Sequence, residues 1–139
     1  YPTFDEEVEV VKRTTSKSHS QVDVIFSAIE ILDFQNLIMK IPVADNVINY
    51  AVTLVGKSRP GSLGSNSIVK QYVDWGAGPR ASQNLILAAK TFAVINNKLS
   101  PDIEDVQAVA IGVLRHRIIK NYKAESDGIS IESIVKSLF

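Results

Sequence analysis

The chain has 139 residues, a length that suits one compact domain with its own hydrophobic core. Fifteen Lys and Arg balance fifteen Asp and Glu, so the chain lacks the broad positive field that holds nucleic acid or an anionic membrane. The sequence contains no Cys, which excludes disulfides, thiol catalysis and Cys-ligated zinc. This composition is compatible with a reducing compartment, and a cytoplasmic location is the default expectation.

Neither a membrane segment nor a signal peptide is expected. The longest apolar run, Ala108 to Leu114, is far shorter than the roughly 20 residues of a membrane-spanning helix. The chain opens with Tyr1, and its first charges are acidic where a signal peptide carries basic ones. We interpret the start as an excision from a longer protein.

The first residues predict a helix. Thr3 stands three residues before Glu6, the spacing of a capping box, and predicts a helix over 4–14. The polar stretch 15–21 predicts a loop. Val22, Val24 and Phe26 alternate with Asp23 and Ile25, a pattern that fits a short extended segment or an irregular one.

Two further helices come next. A second capping box and helical spacing of apolar residues predict a helix over 28–39, which ends before Pro42. Asp45 is expected to cap a third helix over 46–55, and Gly56 is expected to end it.

The middle of the chain combines one β-prone segment with the longest periodic run. Residues 68–75 predict a single very short β element. Pro79, at a first helical position, opens a predicted central helix over 80–97. Ser100 and the two residues after it predict the cap and acidic first turn of a helix over 102–114.

A last short amphipathic helix, over 131–138, has Ser130 as its expected cap. The pattern therefore predicts an all-α domain with one small β element. We expect its hydrophobic interior to come from the helices near 28–39, 46–55, 80–97 and 102–114.

Residues 51–58, AVTLVGKS, satisfy a relaxed phosphate-loop pattern with Ala in place of the first Gly. A phosphate loop needs a strand before it and a helix after it. Here an apolar helical stripe runs into Gly56, and Pro60 interrupts any helix after it. We therefore interpret Gly56 as a helix terminator, with Lys57 near the negative end of the helix dipole.

The segment GAGPRAS at 76–82 is more informative. Arg80 falls in the first turn of a helix, where the dipole disfavours a cation by roughly 0.3 to 1 kcal/mol. One interpretation is a solvated Arg, or one paired with Asp74. The other is a phosphate contact, in which Gly76 and Gly78 let the backbone come close.

Arg115, His116 and Arg117 end the predicted helix at 102–114, where basic residues complement the dipole without any function. The only histidines are His19 and His116, and nothing in the spacing supplies carboxylate partners for a metal. No metal site is predicted. No strained nucleophile motif accompanies the Ser, His and Asp residues, so triad hydrolysis is unsupported.

Residues 74–118, which contain the Gly-Ala-x-Pro-Arg-Ala turn and end in Val-Leu-Arg-His-Arg-Ile, resemble the lid of MoxR-family AAA+ ATPases. Residues 1–13 are similar to the segment that comes after the ATPase core in that family, and 27–55 to the helix pair between. The resemblance implies one AAA+ lid-type helical bundle over 1–139, with 1–20 as the junction to an upstream core that this chain lacks.

The resemblance also implies that Arg80 is the sensor-2 arginine, which would act in catalysis in the full-length enzyme and contact ATP together with Gly78, Pro79 and Ala81. Mg²⁺ would be bound by the core. Arg115 and Arg117 are candidates for an interface between subunits.

The implied partners are the core of the same chain, neighbouring subunits of a ring such as a hexamer, and von Willebrand A domain proteins, in chaperone-like remodelling. The chain contains no Walker A with its strand, no Walker B, no sensor 1 and no arginine finger, so alone it is not expected to hydrolyse ATP or to hold a cofactor.

The alternative is a non-catalytic helical module that binds another protein without nucleotide. The two hypotheses differ in the surroundings of Arg80. A lid requires Arg80 and the backbone N–H groups of Ala81 and Ser82 to share an anion-sized recess, whereas an interaction module does not.

Overall fold

The computed structural model of the chain describes residues 1–16 and 23–139. These residues form eight α-helices and one two-stranded antiparallel sheet. They group into two compact units, Tyr1–Asp33 and Phe34–Phe139. The elements in chain order are α1 Phe4–Thr15, α2 Ala28–Lys40, α3 Asp45–Lys57, α4 Ser67–Tyr72, β1 Val73–Trp75, α5 Pro79–Ile95, α6 Ile103–Leu114, β2 Ile119–Lys120, α7 Tyr122–Ser126 and α8 Ile131–Lys136.

The first unit begins with the predicted helix. At its start the backbone N–H and hydroxyl of Thr3 donate to Glu6 Oε2 over 2.7 and 2.9 Å, and these bonds lower the pKa of Glu6. Thr15, predicted to open the loop 15–21, instead ends α1; the rest of that loop after Ser16, and Val22 of the short extended segment, lie outside the described residues. Residues 23–27 form neither helix nor strand.

Helix α2 forms where the sequence predicts it, but the prediction that it contributes to the hydrophobic interior is wrong. None of its residues is buried, and Ile29 and Leu32 are 72% and 58% exposed. Apolar spacing marks the face of a helix that favours burial, but it does not supply the surface that would cover that face.

The core of the second unit comes mainly from α3, α5 and α6, as predicted, with additions from the shorter elements. Helices α5 and α6 share the largest contact in this unit. The fully buried core side chains of largest volume are Leu54, Leu85, Leu114, Ile134 and Leu138.

Both ends of the α3 prediction need correction. Asp45 is the first residue of the helix and Ala44 is its N-cap, so Asp45 does not cap it. The helix also continues through Gly56 to Lys57, because a single Gly costs a helix only about 1 kcal/mol and tertiary packing overrides that cost.

Helix α5 agrees with its prediction within two residues, and its ends have clear causes. Gly78 is the N-cap and Pro79 takes the first position. At the other end Asn97 adopts φ 59°, and the N–H of Lys98 donates to the Ala93 carbonyl over 2.8 Å, which satisfies a terminal carbonyl.

The cap of α6 is Asp102 and not Ser100. Asp102 Oδ1 accepts from the N–H of Asp105 over 3.0 Å, while the N–H of Asp102 donates to Asp105 Oδ2 over 2.9 Å. This is a capping box in which the third helical residue is Asp rather than Glu.

The β-prone segment 68–75 is only partly a strand. Asn66 caps a short helix, since its side chain accepts from the N–H of Val69 over 2.9 Å, and α4 therefore takes the first part of the segment. Only Val73–Trp75 is extended, and it pairs with Ile119–Lys120. Strand β2 and helix α7 were not predicted. The fold class, all-α with one very short β element, is confirmed.

Helix α8 ends at Lys136, two residues before the predicted end, and Ser130 caps it by accepting from the N–H of Ser133 over 3.1 Å. Within the described residues, no single helix combines the length and the apolar character needed to cross a bilayer.

Candidate functional site

An open cleft of about 660 Å³ lies in the second unit, beside the start of α5. The end of α3, the turn between β1 and α5, and the segment after α6 form its walls. Its lining residues are Arg59, Pro60, Asp74, Trp75, Gly76, Ala77, Gly78, Pro79, Arg80, Ala81 and Arg117. Because the cleft contains the start of α5 and a residue just after the end of α6, these two helices run in opposite directions.

Ser58 and Arg59, the two residues directly after α3, hold the turn that leads into α5. Ser58 is fully buried, and its Oγ accepts from the N–H of Ala77 over 2.9 Å and donates to the Val55 carbonyl over 2.6 Å. Arg59 Nε donates to the Ala77 carbonyl over 2.9 Å. Both polar backbone groups of Ala77 are therefore fixed by the two residues that follow α3.

Position 76 must be glycine because the backbone of Ser58 and Arg59 lies too close for a side chain. A Cβ at this position would lie 2.4 Å from the Ser58 carbonyl oxygen and 2.7 Å from Arg59 Cα. At Gly78 a Cβ would meet nothing within 4 Å. Gly76 is thus needed for the contact of this turn with Ser58 and Arg59, whereas Gly78 leaves open space beside the cleft.

Arg80 lies exposed in the first turn of α5, at the cleft. Among the residues that the structure describes, neither Arg80 nor Asp74 takes part in an ion pair, so the alternative in which these two side chains pair does not occur. The N–H of Ala81 donates to the Gly78 carbonyl over 2.9 Å, and Pro79 has no N–H. The recess expected for a lid, shared by Arg80 with the N–H groups of Ala81 and Ser82, is therefore not formed as predicted, because the Ala81 N–H bonds within the turn and Ser82 does not line the cleft. The guanidinium of Arg80 is the donor that this turn offers.

The structure separates the two arginines after α6. Arg117 lines the cleft, and its Nη1 donates to the Val113 carbonyl over 2.6 Å and contacts His116 Nε2. Arg115 is the exposed C-cap of α6 and does not line the cleft.

Arg59 and Trp75 are two of the cleft residues that sequence reasoning missed. Arg59 comes directly after the phosphate-loop-like string, and its place beside Ala77 depends on the packing of α3 against a turn 18 residues further on. Trp75, the only tryptophan, is 72% exposed at the end of β1. A signal was present for Trp75, since an aromatic residue directly precedes the GAGPRAS segment.

At the opposite end of the α5–α6 pair, the cation Lys98 is paired with carboxylates, unlike Arg80 at the cleft. Lys98 Nζ lies 2.9 Å from both Asp102 Oδ2 and Asp105 Oδ1, and Asp105 is only 2% exposed. The hydrogen bond from Lys98 and the backbone N–H of Asp105 lower the pKa of Asp102, and the two carboxylates raise the pKa of Lys98.

The structure also shows whether residues 51–58, which match the relaxed phosphate-loop pattern, form a phosphate loop. The residues before Gly56 belong to helix α3 and not to a strand, and Lys57 Nζ donates to the Leu138 carbonyl over 3.1 Å. The interpretation that the string is no phosphate loop is confirmed. In residues 1–16 and 23–139, no three or more His, Asp or Glu side chains come together in a way that could hold a metal.

Comparisons with known proteins agree with this architecture. A family model described as an AAA lid domain matches residues 65–138. "Chaperone MoxR1" of Mycobacterium tuberculosis is 35% identical over 136 residues, which cover 97% of this chain and 36% of that protein. "Uncharacterized protein YeaC" of Bacillus subtilis is 26% identical over 140 residues, which cover 99% of this chain and 41% of that protein.

A similar solved structure is the crystal structure of a protein described as a "putative ATPase" from Cytophaga hutchinsonii. It has a TM-score of 0.74 and 33% sequence identity, over 99% of this chain and 42% of that one. The chain thus spans roughly two-fifths of the length of the proteins it resembles.

Proposed function

Because the chain belongs to the AAA lid domain family, as the C-terminal lid of a MoxR-type AAA+ ATPase, we propose that Arg80 is its sensor-2 residue. In this role Arg80 contacts a phosphate of ATP held mainly by a core domain of the same polypeptide. The observation that carries the proposal is the exposed guanidinium of Arg80 in an open cleft, with no ion-pair partner among the described residues.

The position of Arg80 is explained by an anionic ligand. A cation in the first turn of a helix is disfavoured by about 0.3 to 1 kcal/mol, and a bound phosphate offsets this cost because it attracts both the guanidinium and the positive end of the helix. The guanidinium fork matches the oxygens of a phosphate and can donate two parallel hydrogen bonds to it. The lining of the cleft, with three Arg and one Asp, fits an anion.

ATP, when bound with Mg²⁺ by the core, supplies the phosphoryl group that is transferred to water. The lid's own contribution is positive charge at the phosphate, where Arg80 would stabilise the charge that develops in the transition state. Since Ser58 and Arg59 hold the turn before Arg80, a movement of Arg80 would also move the end of α3. The lid would in this way pass the nucleotide state to the rest of the assembly.

The wider setting is part of the same proposal. Neighbouring subunits of a ring, for which we propose a hexamer, would contact the lid, and Arg115 and Arg117 are the proposed interface residues. The assembly would remodel other proteins in the cytoplasm, together with von Willebrand A domain partners. Support for this setting comes from the 35% identity to a protein named as a chaperone.

The test compares the complete ATPase that carries this lid with its Arg80→Ala variant. We expect ATP turnover to fall about tenfold or more, which corresponds to about 1.4 kcal/mol of transition-state stabilisation. ATP affinity should be largely kept, because the charge that Arg80 is proposed to stabilise develops mainly in the transition state. Steady-state turnover and equilibrium binding of labelled ATP measure the two quantities.

Lys123→Ala is the matched control for loss of charge, because Lys123 is exposed, lies outside the cleft and is not among the proposed interface residues. In conditions where subunit assembly is verified, this variant should keep its ATP affinity. Unchanged turnover of Arg80→Ala in an intact assembly would contradict the sensor assignment. It would favour a helical module that binds another protein without nucleotide.

A further inference from the structure

We propose that Arg59 is a second phosphate-binding residue of the cleft, which contacts the nucleotide beyond its α-phosphate. This inference rests on the proposed function, because it requires the cleft to receive ATP. The resemblance to lid domains implies a role for Arg80, whereas the geometry of α3 and its neighbouring turn points to Arg59.

The side chain of Arg59 is anchored at one nitrogen and has two more to offer. Its Nε donates to the Ala77 carbonyl over 2.9 Å, which ties the guanidinium to the turn before Arg80. Among the described residues, the two terminal nitrogens of Arg59 have no hydrogen bond and no ion pair in the structure. Arg59 is exposed and lines the same cleft as Arg80.

Such an anchored arginine is well suited to bind a phosphate. Ordering a free Arg side chain costs up to about 2 kcal/mol of rotamer entropy. The bond from Nε to the Ala77 carbonyl has already fixed much of the side chain. The planar group therefore presents its remaining donors to an anion at a smaller entropic cost.

The charge of the cleft favours a polyphosphate over a singly charged anion. Its lining contains three arginines, Arg59, Arg80 and Arg117, and one carboxylate, Asp74, which leaves two positive charges uncompensated within the lining. Arg117 already donates to the Val113 carbonyl through Nη1. Arg59 and Arg80 are thus the two guanidinium groups best placed to share a chain of phosphates.

The experiment measures equilibrium affinities of the complete ATPase for ATP and for AMP. We expect Arg59→Ala to weaken ATP binding about tenfold and to change AMP binding less than about twofold, since AMP lacks the phosphates that Arg59 contacts. Lys123→Ala, which removes an exposed cation of α7 outside the cleft and outside the proposed interface residues, should leave both affinities unchanged. Equal losses for ATP and AMP would overturn the proposal.

A second variant separates the charge of Arg59 from its anchoring bond. Arg59→Lys keeps the positive charge but lacks the Nε that bonds the Ala77 carbonyl. A phosphate contact predicts that Arg59→Lys loses less ATP affinity than Arg59→Ala, because the positive charge is kept while the anchored guanidinium fork is lost. If Lys and Ala weaken ATP binding equally, the positive charge at residue 59 contributes nothing to ATP binding and the proposal fails. Thermal unfolding of each variant identifies any loss that reflects unfolding.

The two proposals fail in different ways. If Arg80→Ala lowers turnover while Arg59→Ala leaves ATP affinity unchanged, the lid function stands and the role of Arg59 is refuted. If neither variant changes turnover or affinity, the cleft does not receive nucleotide, and both proposals are wrong.

Discussion

The two ends of the α5–α6 helix pair carry charge in opposite ways. At the end of α5 and the start of α6, Lys98 lies 2.9 Å from each of two carboxylates, Asp102 and Asp105. At the other end, Arg80 lines an open cleft with two more arginines, and in the part of the chain that the structure describes none of the three pairs with an acidic group.

This difference separates charges that hold the fold from charges that are available to a ligand. A cation already paired with two carboxylates must lose those contacts before it can bind an external anion, whereas an unpaired guanidinium loses only water. We therefore expect the paired end to act in stability, and we propose that the unpaired end acts in binding. Substitutions at each end should affect these two properties separately.

The largest loss of stability is expected when a side chain is added at Gly76, where the turn before Arg80 contacts Ser58 and Arg59. Gly76→Ala places a Cβ 2.4 Å from the Ser58 carbonyl oxygen, so the turn must move away from α3. We expect a loss of about 3 kcal/mol in the free energy of unfolding, measured by chemical denaturation.

Gly78→Ala is the matched control, because its Cβ would meet nothing within 4 Å. Replacing this N-cap glycine should cost less than about 1 kcal/mol. Equal losses for the two variants would show that the contact between the turn and α3 is not the cause.

A somewhat smaller loss of stability is expected when the ion pairs of Lys98 at the paired end are disrupted. Asp105→Ala removes a carboxylate that is 2% exposed and leaves the N–H of Asp102 and the ammonium of Lys98 without this partner. Lys98 can still reach water, so we expect a loss of about 2 kcal/mol in unfolding free energy.

Glu104→Ala removes an exposed carboxylate from the same helical turn and should cost less than about 1 kcal/mol. In the complete ATPase, Asp105→Ala should keep ATP affinity at temperatures where it is folded. A specific loss of ATP affinity in this variant would break the separation between the two ends.

The smallest expected effect is the pH dependence of stability that comes from the carboxylate of Asp102. The pKa of Asp102 is lowered in the folded chain, mainly by Lys98, so its contribution to stability is present above the unfolded pKa of about 3.9 and is lost as the pH falls through the folded value. Asp102→Asn keeps a capping side chain but removes the charge.

We therefore expect Asp102→Asn to be less stable than the wild type at pH 7, and the difference to shrink between about pH 5 and pH 2. Denaturant melts across this pH range measure it. A difference that stays constant down to the lowest pH would show that the carboxylate charge of Asp102 plays no part.

Sequence reasoning succeeded where local signals and periodicity agree. Helices α1, α5 and α6 combine apolar spacing with capping or proline signals, and their predicted bounds hold within two residues. The segment 68–75 was harder, because its β-branched residues favour a strand while the side chain of Asn66 starts a helix. Strand β1 is extended because Ile119–Lys120 pairs with it, and that distant segment carries no local signal of pairing.

The candidate site was predictable only in part. Arg80 is identifiable from its unfavourable place in the first turn of a helix, which depends on local sequence alone. The position of Arg59 depends on a contact made 18 residues away, through the Ala77 carbonyl. The failed expectation for α2 has a similar cause, since an apolar helix face does not show which surface covers it.

Trp75 gives the cleft an optical reporter of its own. It is the only tryptophan of the chain, it is 72% exposed, and it belongs to the lining of the cleft. The fluorescence of an indole shifts to shorter wavelength when water is removed from around it. Tryptophan emission from this chain therefore comes from one known position, and a ligand that covers Trp75 should shift the emission wavelength without an attached dye.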